Sequence, residues 1–176
     1  MSTSYTRTAK WLHWLMALML IGMLCVGFYM TGMRFSPQKL QIYSYHKWGG
    51  VTLFALLLAR LAWRGTHRPP ALPAGMSRLM RFAAQGAHLA LYLLMAAMPI
   101  SGWLMSSAKG VQTVWFGVLP LPNLVGKDKA LGDALAEVHE TLAVLLIVVA
   151  SVHVLAALKH HLIDRDDVLT RMLPRR

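Results

Sequence analysis

Eight histidines occur in the 176 residues, and five of them, His13, His46, His88, His139 and His153, fall within or at the ends of long apolar runs. An ionisable side chain inside a bilayer is costly and usually functional. A lone histidine there is most simply one hydrogen-bonded to a neighbouring helix; five in so small a protein outweigh that reading. Imidazole at such depth has three chemical uses: axial ligation of a haem iron, a zinc-type site, or a proton relay. Spacing discriminates between them. His139 and His153 are fourteen residues apart, so fourteen steps of ~100° bring them to within about 40° of each other, ~21 Å apart along a helix. One face of one helix thus presents an imidazole near each of its ends.

The same fourteen-residue step leads from His13 to Gly27, from His46 to Arg60 and from His88 to Gly102. With alternate helices antiparallel, an inward-facing seam has an outer level of Gly27, His46, Gly102 and His139, and an inner level of His13, Arg60, His88 and His153. Glycine lets a flat macrocycle approach the backbone, and an arginine at a helix end suits a haem propionate. Zinc would want a third ligand, with Glu137 and Glu140 close in sequence to the outer pair. A proton relay would need polar groups between the levels, where the fourth run, past Glu140 beside the outer histidine, offers only Leu, Ile, Val and Ala plus Thr141 and Ser151. Two histidines facing each other in a bundle core suit a b-type haem better than either. The outer pair is His46 with His139; the inner level has three candidate histidines, and spacing does not choose among them.

The elements that must hold these residues are membrane helices. Hydrophobic residues make up 56% of the chain and charged residues 14%, against about 25% charged in soluble domains. That composition excludes a disordered chain. It also excludes a soluble nucleic-acid binder, since the net charge of +11 reflects only 7 acids beside 18 bases. One cysteine rules out a disulfide framework and a covalent C-x-x-C-H haem site. Apolar runs at about 11–30, 46–63, 83–105 and 138–158 each approach the ~20 residues that cross a ~30 Å hydrocarbon core. Tyr43, Ser44 and Tyr45 can extend the short second run, and Pro99 inside the third is tolerated where neighbours satisfy the freed carbonyl. The first run is longer than a secretory h-region and reads as a retained helix. The expected fold is all-α, one domain over 1–176: a four-helix integral membrane bundle with its cofactor in the core.

Four spans put both termini and the middle loop on one side. Of the 18 Lys and Arg residues, twelve fall on that side and six, Arg34, Lys39, Lys47, Lys109, Lys127 and Lys129, on the other, so both termini are expected in the cytoplasm. The inner loop, 65–75, reads as a plain connector. The long outer loop contains an apolar stretch, 111–125, that either lies on the bilayer surface or folds over the bundle. His67, His160 and His161 read as solvated, Cys25 as inert, and the twelve methionines as packing.

These stretches resemble the bacterial cytochrome b-561 family: Lys10-Trp-Leu-His13-Trp14, His46-Lys-Trp-Gly-Gly50, His88-x-x-x-Tyr92, Pro99-Ile-Ser-Gly102, His139-Glu-Thr-Leu-Ala143 and His153-Val-Leu-Ala-Ala157. Each is weak alone, but their order and placement are specific, and they span nearly the whole chain. Lys10 stands where relatives often have Arg. The resemblance implies two haem b groups, held by His13 with His153 and by His46 with His139, and leaves His88 without an iron. It implies a multi-pass protein of the bacterial inner membrane that passes electrons to ubiquinone, with superoxide or a redox protein as donor. At least one standalone member of that family oxidises superoxide; others are relay subunits of dehydrogenases or hydrogenases. The chain ends soon after its fourth helix, which looks more like a standalone member. Within that expectation Arg60 partners a propionate, and His88 bonds a propionate, a quinone carbonyl or simply a neighbouring helix. Lys47, beside His46, is the first choice for guiding an anion to the outer site, although outer-loop lysines are commonly just solvated and acids reduce that side's excess charge.

Overall fold

The computed structural model describes residues 4–73 and 75–174. Four helices dominate it: α1 (Arg7–Gly32), α2 (Pro37–Thr66), α3 (Arg78–Ala108) and α4 (Lys129–Leu162). Between α3 and α4 lies a two-stranded antiparallel hairpin of β1 (Val114–Trp115) and β2 (Leu119–Pro120). Every helix outruns its apolar run because polar caps, not the hydrophobic boundary, set its start. Thr6, Ser36, Ser77 and Asp128 each accept a backbone N–H from the first turn, and Pro37 occupies the first helical position of α2. Pro99 sits inside α3 without ending it.

The exterior is apolar. Large hydrophobic side chains face outward on all four helices, whereas only six hydrophobic residues among those described are buried. A soluble bundle would reverse that distribution. α1, α3 and α4 are long and apolar enough to cross a membrane; α2, carrying Lys39, Lys47, Arg60 and Arg64, is not among them, so the expectation of four comparable runs holds for three. α2 packs against α1 and α3, and α3 against α4. Met16, Leu53 and Leu57 form the buried centre, with Met19, Met23 and Met95 packed on it. Leu146, 1% exposed, lies seven residues from both His139 and His153 on α4. Apolar side chains therefore fill the middle of the bundle, between the two histidine levels.

Both ends of the chain meet at one end of the bundle. Beyond α4 the segment 163–173 folds back over the start of α1. Lys10, almost fully buried, donates from Nζ to the Leu173 carbonyl at 2.9 Å, and Trp14 Nε1 donates to the Met172 carbonyl at 3.0 Å. The Arg171 carbonyl accepts from Tyr5 N and Ser4 Oγ, while its Nη1 donates to the Ala71 carbonyl at 2.6 Å. Lys10, part of the family-like stretch, thus anchors the C-terminal segment. His160, expected to be solvated, is instead largely covered: its Nδ1 lies 2.6 Å from Asp166 Oδ2 and 3.3 Å from Asp164 Oδ2, a pair of contacts that turns the chain at the end of α4. His67 stacks on Trp63, ring centres 3.9 Å apart.

Candidate cofactor sites

The antiparallel helices bring the histidines together at two depths. At the outer level, the His46 ring on α2 faces the His139 ring on α4, centres 6.4 Å apart and planes at 77°. At the inner level, His13 on α1 faces His153 on α4, centres 6.3 Å apart and planes at 75°. His88, on α3, approaches the same His153 at 5.3 Å. A metal–imidazole nitrogen bond of about 2.0 Å, with about 1.2 Å from nitrogen to ring centre, places two axially bound rings about 6.4 Å apart. Both the His46–His139 and His13–His153 pairs match that separation, whereas the His88–His153 contact is about 1 Å shorter than that opposed arrangement needs.

Glycines shape the outer level as the seam predicts. A Cβ on Gly27 would lie 3.4 Å from His46 Cε1, and one on Gly102 would lie 3.2 Å from His139 Cε1. The backbones of α1 and α3 therefore press directly on the two rings. Ser101, also on α3 and buried, fixes one of them. Its Oγ donates to the Met98 carbonyl at 2.9 Å, so at 2.9 Å from His139 Nδ1 it accepts that nitrogen's proton. His139 is then the Nδ1–H tautomer, with the Nε2 lone pair free for a metal. His46 Nδ1 is buried and has no hydrogen-bond partner, an exception of the kind expected where a group binds. The residues present fit a bis-histidine haem.

At the inner level Arg60 donates from Nη1 to the Ala9 carbonyl at 3.0 Å and from Nε to the Tyr92 hydroxyl at 3.4 Å. Two of its five N–H groups are thereby used, leaving donors for a carboxylate. Arg64 lies over the Tyr92 ring, 5.7 Å from its centre. Two cavities open here and share Tyr5, Arg64 and Pro69. One, of about 60 Å³, is lined by Arg60, Trp63 and Tyr92; the other, of about 330 Å³, by Arg81, Gln85 and His88 under the loop Pro69–Leu72. Among the described residues, neither is lined by an acid.

Lys47 neighbours His46 but does not project freely. Its Nζ donates to Ser106 Oγ at 3.1 Å and lies 3.5 Å from the Gln112 carbonyl, tying α2 to the end of α3. Ser101, thirty-eight residues from its histidine partner, carries no spacing signal, and Tyr92 and the folded-back C-terminal segment carry none either.

The profile of the family described as prokaryotic cytochrome b561 matches residues 4–175. Among curated proteins, cytochrome b561 homolog 2 of Escherichia coli (strain K12) is 37% identical over 168 residues, covering 92% of this chain and 86% of that protein. The probable superoxide oxidase CybB of Yersinia pestis is 29% identical over 169 residues, covering 94% and 93%. Cytochrome b561 homolog 1 of Escherichia coli (strain K12) is 28% identical over 178 residues, 98% of each.

Proposed function

The chain belongs to the prokaryotic cytochrome b561 family, a family of b-type haem membrane proteins, and from that premise we propose that it carries electrons from superoxide at the outer face to ubiquinone at the inner face of a bacterial inner membrane. The observation that carries this reading is the pair of facing imidazoles at each of two depths, at 6.3 and 6.4 Å. His46 and His139 hold one haem b and His13 and His153 a second. Bound there, haem supplies a one-electron ferric–ferrous couple. Two superoxide ions give up one electron each and leave as dioxygen; one ubiquinone takes both electrons and two protons from the inner side to become quinol.

The chain's own residues orient and select. Ser101 holds His139 in the ligating tautomer, and the glycines at 27 and 102 set the ring positions. Arg60 partners an inner propionate, close to Tyr92. His88, on the wall of the 330 Å³ cavity and in ring contact with His153, donates to a quinone carbonyl. Lys47 places a positive charge beside His46 and draws in the anion, an effect that falls with ionic strength. Superoxide as the donor is supported by the similarity to the probable superoxide oxidase CybB of Yersinia pestis and by the outer lysines.

The reduced visible spectrum of the purified protein tests the cofactor: a sharp alpha band from two haems per chain is expected, and its absence refutes the reading. His46→Ala or His139→Ala should remove one haem and spare the other, while His88→Ala should keep both. Stopped-flow mixing with superoxide and quinone tests the reaction. A rate no faster than background, together with co-purification of a redox subunit, would assign the protein instead as a relay between a partner dehydrogenase and quinone.

A further inference from the structure

The chain from Val111 to Gly126 contains no charged residue, although it joins two helix ends on the outer side. Its hairpin does not extend away from the bundle. Trp48 Nε1 donates to the Val114 carbonyl at 2.6 Å, and Trp115 Nε1 donates to Thr52 Oγ1 at 3.2 Å. Thr52 is the sixteenth of the 30 residues of α2, and it lies ~9 Å further along the helix than His46. A 30-residue helix is ~45 Å long, comparable to the ~40–45 Å of a bilayer with its headgroups. His46 faces His139, ten residues into the membrane-length helix α4, so the Trp115 indole reaches ~9 Å past the outer histidine level, towards the apolar middle of the bundle.

Helical spacing places Trp48 and Thr52 one turn apart, on the side of α2 away from His46. The hairpin therefore covers the outward side of the least apolar helix and supplies partners for its indole and hydroxyl. What it presents beyond α2 is itself apolar. Phe116, Val118 and Leu119 are 56, 83 and 51% exposed. Its backbone is suited to a medium without water. Pro120 has no N–H, Leu121 N donates to the Thr113 carbonyl at 2.8 Å, and Val118 N closes the turn on the Trp115 carbonyl at 3.0 Å. The two turn residues, Phe116 and Gly117, have φ of 50° and 71°. Asn, Asp or Gly would suit the first of these positions, yet an aromatic residue stands there, packed on Trp48 with ring centres 5.5 Å apart.

We propose that the hairpin is a re-entrant element of the outer leaflet, its tip Phe116–Leu119 seated among lipid acyl chains against α2. The partner is lipid rather than a protein subunit, because the exposed face continues the apolar exterior of the bundle and the hairpin base is tied to α2 at membrane depth. The inference is independent of haem number and of electron donor.

The test uses the haem-loaded protein in vesicles of phosphatidylethanolamine and phosphatidylglycerol, with Cys25→Ser as background. An environment-sensitive fluorophore is attached at Val118→Cys, at Val148→Cys on the exposed side of α4 as the lipid control, and at Gly126→Cys as the aqueous control. Val118 is so exposed that its replacement leaves packing intact. Quenching at Val118→Cys by doxyl groups on the acyl chains should match that at Val148→Cys, with iodide ineffective. An iodide response like that at Gly126→Cys overturns the proposal. So does a label reached by iodide in pure vesicles but shielded from both quenchers in native membranes, which would reveal a protein partner.

Discussion

Replacing Ser101 with Ala removes the hydroxyl acceptor 2.9 Å from the Nδ1–H of His139 and leaves the Met98 carbonyl as that ring's remaining partner. An acceptor on Nδ1–H makes imidazole a stronger electron donor and favours the ferric state of a metal on Nε2, so its loss raises the reduction potential of the outer haem. A neutral hydrogen bond contributes about 1 kcal/mol net, and the bond is stronger in the oxidised state by some fraction of that. Taking about half to all of it, and 59 mV per tenfold change in a one-electron equilibrium, the shift is roughly +20 to +40 mV. The His13–His153 pair lies ~21 Å away along α4 and serves as an internal reference. With one haem at each level, as proposed, a redox titration followed at the alpha band resolves two components. The expected result is an upward shift of one component only, restored by Ser101→Thr, which keeps the hydroxyl. A fall, equal shifts in both components, or no shift with both haems bound would refute the assignment of Ser101 as the tautomer-fixing group.

Three further outcomes follow from the same geometry. Gly102→Ala puts a methyl 3.2 Å from His139 Cε1 and should cost about 1–3 kcal/mol in overpacking, lowering outer haem content; Gly27→Ala, at 3.4 Å, should do less, and a pyridine haemochrome assay compares them. Lys47→Gln should slow reduction by superoxide about two- to tenfold and flatten its salt dependence, read by stopped flow at several ionic strengths. In the C-terminal segment, the Arg171 guanidinium bonds Asp167 and holds its carboxyl below the usual range. A depressed folded-state value means that the contribution is complete above the ordinary Asp pKa and is lost as pH falls through the lower folded value. Amide hydrogen exchange of the C-terminal segment, pulse-labelled at each pH, should therefore exceed its intrinsic pH dependence only in that acidic window, and Asp167→Asn should speed exchange at neutral pH.

The fold was readable where chemistry is periodic. The fourteen-residue step between His139 and His153 located two levels because a straight apolar helix preserves its face, and Gly27 and Gly102 follow from the same repeat. What was less readable depends on contacts between distant segments. Ser101 meets His139 across two helices, and Lys10 meets Leu173 across nearly the whole chain. Spacing leaves three inner histidines open and the resemblance implies His13 with His153; the structure adds ring separations of 6.3 Å for His13 and 5.3 Å for His88, a difference no spacing reports. The stretch 111–125 left two readings open because an uncharged loop is equally compatible with a surface and with a covering position; the Trp48 and Trp115 hydrogen bonds place it along α2.

The apolar filling around Leu53, Leu57 and Leu146 also has an electrical meaning. It separates the two histidine levels by ~21 Å, about two-thirds of a ~30 Å hydrocarbon layer, with apolar residues between Lys47 and Glu140 at the outer level and Arg60 at the inner. An electron moving from the outer to the inner level therefore crosses about two-thirds of the transmembrane voltage. At about 2.3 kcal/mol per charge per 100 mV, a cytoplasm negative by 100 mV opposes each transfer by about 1.5 kcal/mol. Under the proposed polarity, turnover works against the membrane potential, and collapsing that potential with an ionophore should speed it by up to about tenfold where this transfer limits the rate.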